Sequence, residues 1–95
     1  MKPGDRLDFH SLRVDKLSTY ARKLHDGSTI EVYRYAFTSS EDNTRYVYSG
    51  VYLGCNVRVG EQISARATVK ILRDEWGFTR LQRVRLIGPR PPQLF

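Results

Sequence analysis

Residues able to do chemistry are few in this sequence, and they are scattered. It has two histidines, His10 and His25, and one cysteine, Cys55. General acid–base catalysis needs carboxylates or histidines within mutual reach, but here the acids sit in turns or alternate with basic residues. One cysteine and two histidines at unrelated spacing do not make a zinc site. Gly50-Val-Tyr-Leu-Gly54 is followed by no Lys-Ser/Thr, so it is not a phosphate loop. Cys55 reads as a semi-buried small hydrophobe at a strand end. The expectation is a non-enzyme with no catalytic residues, no metal and no cofactor.

A second chemistry is better supplied, that of basic and aromatic side chains. The net charge is +6, and it is unevenly placed. Residues 1–44 carry seven basic and seven acidic groups, whereas residues 45–95 carry nine basic and three acidic. A basic surface confined to one half has a polyanion as its default partner, but charge alone weighs that about evenly against a simple solubility charge. Arg66, Lys70, Arg73, Arg80, Arg83 and Arg85 fall within twenty residues. Tyr33, Tyr35, Phe37, Tyr46, Tyr48 and Tyr52 fall on two neighbouring runs. Single-strand binders combine a basic track for phosphates with aromatic platforms for bases. Trp76, in a turn, is either a stacking residue or a lid on the end of the fold.

These residues must be positioned by strands. Turn signals divide the chain into five β-like runs: Arg6–Tyr20, Thr29–Thr38, Arg45–Leu53, Gln62–Asp74 and Phe78–Ile87. A phase slip at His10-Ser11 predicts a bulge in the first run. His25-Asp26-Gly27-Ser28, Ser39 to Thr44 and Glu75-Trp76-Gly77 read as turns. Ser18 to Leu24 has room for a turn or two of helix. In the fourth run Ile63, Ala65, Ala67, Val69 and Ile71 share one face. In the second and third runs both faces are partly apolar. Tyrosine hydroxyls need partners, so the expectation puts Ile30, Val32, Ala36, Val47, Val51 and Leu53 inside and the tyrosine rings outside. Five short strands favour a closed barrel, which removes exposed edges. Residues 1–88 make this one domain, and residues 89–95, rich in proline, form an extended tail. The single cysteine and the absence of an apolar leader fit a cytoplasmic protein.

The stretch Arg58-Val-Gly-Glu-Gln-Ile-Ser-Ala-Arg-Ala-Thr-Val-Lys70, followed by Trp76-Gly-Phe-Thr-Arg-Leu-Gln-Arg-Val-Arg85, resembles the closing hairpin of small prokaryotic and phage OB-fold single-strand-binding domains. The resemblance covers about a third of the chain. It implies an all-β, five-stranded OB-type barrel, closed or partly open, with a short or missing helix between strands 3 and 4. It also implies single-stranded DNA binding, carried over to Thr68, Lys70, Thr79, Arg83 and Arg85. Residues after Val69-Lys70 depart from the family, and its acidic C-terminal tail is absent, which fits an accessory role in replication, recombination or repair. Together the expected nucleic-acid-binding residues are Tyr33, Tyr35, Tyr46, Tyr48, Arg66, Thr68, Lys70, Trp76, Thr79, Arg80, Arg83 and Arg85. Two alternatives stay open. One is an RNA-binding OB protein. The other is a protein-interaction barrel that docks its tail on a partner or pairs two copies through the aromatic face. No membrane association is expected.

Overall fold

A computed structural model describes residues 1–88; the expected tail, residues 89–95, lies outside the described residues. Five strands follow one another: β1 (Arg6–Lys23), β2 (Thr29–Ser39), β3 (Arg45–Gly50), β4 (Gln62–Ile71) and β5 (Thr79–Leu86). They close into a barrel in the order β1-β2-β3-β5-β4. Every neighbouring pair is antiparallel except β3 and β5, which run parallel through Tyr46–Tyr48 and Thr79–Leu81. All-β content, this strand order and the single parallel closure make the domain a five-stranded OB-type barrel.

β1 does two jobs because it is long and bent twice. Its register against β4 shifts between Phe9 and Leu12, at the expected bulge. A second shift, against β2, falls between Val14 and Lys16. That extra residue flips the phase, so Leu17 turns inward and Lys16 faces solvent. Beyond the barrel, Ser18–Lys23 pair with Thr29–Arg34 as a two-stranded ribbon. Ser18–Lys23, where the sequence has room for a turn or two of helix, are therefore strand. A helix that short leaves most of its end groups unpaired, while the β2 ladder offers partners along the whole segment. Gly27, at φ 87°, turns the ribbon tip.

The core corrects the expected facing of β2 and β3. Tyr35 and Phe37 are fully buried, and Tyr46 and Tyr48 nearly so; of the residues expected inside, Val32 and Val47 are buried and Leu53 packs against the core, whereas Ile30 and Val51 are exposed. Register pairs Tyr35 with Tyr48 and Phe37 with Tyr46, so the four rings form one layer inside the barrel. Tyr35 and Phe37 stack with ring planes 5° apart. Two features make this interior favourable. The opposing β4 face is Ala65, Ala67 and Val69, small enough to leave room for rings. The phenols also find donors at the barrel end, where Leu53 N–H donates to Tyr35 Oη at 2.9 Å and Val51 N–H to Tyr48 Oη at 3.2 Å. With the hydroxyls satisfied, burial of each ring contributes roughly 1.5–3 kcal/mol. Four rings of the aromatic face, Tyr35, Phe37, Tyr46 and Tyr48, are thus unavailable for pairing two copies.

Between β3 and β4 there is no helix. Val57, 1% exposed, plugs the barrel from the connector instead. Gly60 N–H donates to Val14 C=O, and Val14 N–H donates to Glu61 C=O, which ties the connector to β1 beside its second bulge. Cys55, expected to be semi-buried, is exposed on this connector because Val57 takes the inward position.

Candidate nucleic-acid interface

The burial of Tyr35, Tyr46 and Tyr48 removes them as stacking platforms. Tyr33 is half-buried at the barrel mouth, against Tyr52. Thr68 and Thr79 are buried as well, and their hydroxyls accept from Arg6 Nη1 and the Arg73 amide. Arg66 grips Asp8 through both Nε and Nη2, at 2.7 and 3.2 Å. That hydrogen-bonded guanidinium holds the Asp8 carboxyl below its usual range. Lys70, Trp76, Arg83 and Arg85 are exposed. Arg85 lies directly across from Arg66 on the neighbouring strand. Arg83 occupies a bulge at φ 53°, and its carbonyl accepts from Arg6 Nη1.

The outer face holds what the inner one does not. Rings on alternate β2 positions turn inward, so Arg34 and Ala36 turn outward, next to Val47 of β3. Two adjoining recesses meet on Arg34 and Val47. The first, about 230 Å³, runs from Tyr20 and Arg34 across Val47 and Ser49 to Arg80, Gln82 and Lys70. The second, about 260 Å³, adds Lys16, Ser18, Ala36 and Phe78. Together they form a groove lined from all five strands and reaching the base of the ribbon. It carries Lys16, Arg34, Lys70 and Arg80, and among the described residues no carboxylate lines it. Among the described residues only Arg80 of these four has an ion-pair partner, Asp74.

Asp74 also shapes the groove's rim. One carboxylate oxygen accepts the Trp76 and Phe78 amides at 2.9 and 3.0 Å, while the other accepts Arg80 Nε at 2.9 Å. Arg80 first, then the Phe78 amide, holds the Asp74 carboxyl below its usual range. The turn closes with Gly77 N–H donating to Asp74 C=O, with Gly77 at φ 81°. Trp76 is left 70% exposed at its tip, so it is not a lid on the barrel. Phe78, half-buried, lines the second recess.

Of the expected residues, the groove gathers Lys70 and Arg80, with Trp76 two residues from Phe78. Arg83 and Arg85 stand outside its lining, and Tyr20, Lys16, Arg34 and Phe78 join it. Arg34 was within reach of the sequence: with the rings assigned inward, strict alternation sends it outward. His10 lies at the first β1 bulge and His25 at the ribbon tip. Among the described residues no cluster of three His, Cys, Asp or Glu side chains is arranged to hold a metal. No family model, curated protein or solved structure matches the chain. Its class therefore rests on strand order, and its site on geometry.

Proposed function

We propose that this protein binds single-stranded nucleic acid, foremost DNA, along the outer groove, with low sequence selectivity. The observation that carries the reading is the groove itself, where Arg34, Lys70 and Arg80 line a recess to which the described residues contribute no carboxylate. Phosphates of a single strand would follow these cations, and Lys16 extends the track. Tyr20, Phe78 and Trp76 supply faces on which bases stack, each worth about 1–3 kcal/mol per base. Every base has a π-face, so such stacking tolerates sequence. The roles of Arg83 and Arg85 are then long-range attraction rather than contact. The barrel class and the hairpin resemblance favour DNA and an accessory role in replication, recombination or repair, performed without catalysis. The lone cysteine suits a cytoplasmic setting.

Fluorescence anisotropy with labelled dT and rU oligonucleotides at two salt concentrations tests this. Binding that weakens with salt supports it, and the dT-to-rU ratio separates DNA from RNA. No binding of either at low salt overturns it. A sharp dimer in light scattering alongside that result would favour the interaction barrel.

A further inference from the structure

The ribbon has a second face, and its chemistry is opposite to that of the groove. β1–β2 register pairs Ser18 with Arg34 and Tyr20 with Val32, but Thr19 with Tyr33 and Ala21 with Glu31. Alternation therefore sets Glu31 and Tyr33 on the side away from Tyr20 and Arg34. There the Tyr33 ring meets the Tyr52 ring, with centroids 5.1 Å apart and planes inclined by 45°. Tyr33 Oη donates to Glu31 Oε2 at 3.4 Å. Tyr52 is half exposed, and Glu31 is exposed. Lys23, on the same face nearer the tip, makes no ion pair with Glu31, nor does any other cation among the described residues. The Glu31 charge, then burial, pushes the Tyr33 phenol above its ordinary value, as expected for an electronegative corner.

We propose that Glu31, Tyr33 and Tyr52 form a binding site for an arginine side chain of a partner protein. Two inclined π-faces beside a carboxylate match a guanidinium, which stacks through its plane and donates through its edge. A strongly hydrated ammonium fits the stacked position less well. Nucleic acid is disfavoured here because Glu31 repels phosphate. The ribbon thus carries nucleic acid on one face and protein on the other. This site stands on its own residues and does not depend on the nucleic-acid reading.

The test is titration of the full chain with acetyl-Gly-Arg-Gly-amide, followed by amide NMR shifts. Expected is saturable binding, on the order of millimolar for one side chain, with shifts centred on Glu31, Tyr33 and Tyr52. Glu31→Gln and Tyr52→Ala, both at exposed positions, should each weaken it roughly threefold to tenfold. Both should leave oligonucleotide affinity unchanged if the groove binds DNA, and the peptide result stands whether or not it does. Absence of shifts at these residues overturns the proposal, as does equal binding of the citrulline peptide. A lysine peptide that binds as well as the arginine peptide overturns the guanidinium assignment.

Discussion

Arg80 Nε donates to Asp74 at 2.9 Å, and the same carboxylate's other oxygen accepts the Trp76 and Phe78 amides. A single aspartate therefore fixes a groove cation, a groove ring and the exposed tryptophan beside them. Because its pKa is depressed in the fold, its contribution is present above the ordinary value and is lost as pH falls through the folded one. The turn should hold at neutral pH and loosen only below 3.8, the usual aspartate value. Trp76, the sole tryptophan, reports this by fluorescence. Asp74→Asn should show altered emission at neutral pH and no acid transition there. A wild-type transition centred near neutrality would contradict the assignment.

Arg34→Ala and Lys70→Ala should each weaken dT oligonucleotide binding and reduce the salt slope by about 0.7, the value for one phosphate contact on a single strand. Arg58→Ala should change neither, since Arg58 sits on the connector and pairs with Glu61. Anisotropy across a salt series measures both quantities. An unchanged slope in both groove variants would remove the groove from the binding site.

Tyr48 divides stability from binding. Tyr48→Ala empties a core position and should cost about 3–5 kcal/mol, as aromatic-to-alanine core changes do. Tyr48→Phe keeps the ring but leaves the Val51 amide without its acceptor, at about 1 kcal/mol. Urea unfolding measures both. The folded Tyr48→Phe protein should bind oligonucleotide like wild type, which an exposed, base-stacking Tyr48 also permits. The stability loss of Tyr48→Ala is what separates the two placements.

Gly50 lies against the same ring. A Cβ there would come within 2.6 Å of Tyr48 Cζ, too close for any unstrained packing. Gly50→Ala should push the ring off its Val51 contact and destabilise the barrel by about 1–3 kcal/mol. Thermal unfolding of this variant against Gly27→Ala, strained only through its φ at an exposed tip, separates crowding from backbone strain.

Strand positions and turns were legible because each leaves a local mark. Gly27 and Gly77 mark tips, and Ile63 to Val69 alternate cleanly. The facing of β2 and β3 was not, because alternation defines two faces without saying which is inside. Tyr33, Tyr35 and Phe37 lie on one face, with Val32, Arg34 and Ala36 on the other. The choice was made elsewhere, by the small residues of β4 and by the Leu53 and Val51 amides that donate to the phenol oxygens. Neither is visible from β2 alone. The groove was half legible for the same reason: Lys70 and Arg80 stood out as charges, while Arg34 waited on the facing. The second β1 bulge left no mark that period-2 reading detects, since Lys16 keeps the expected spacing after Val14.

β1 belongs to the barrel at one end and to the ribbon at the other. Arg6 to Arg13 are held by β4, Leu12 to Lys23 by β2, and past Leu17 β2 is, among the described residues, the only paired strand. Backbone amide exchange along this one strand should therefore grade steeply. Deuterium should enter Tyr20–Lys23 through local fraying, and reach Leu12 and Val14 only through opening of the whole domain. The ribbon can consequently bend or unzip toward a ligand without loosening the barrel that anchors it.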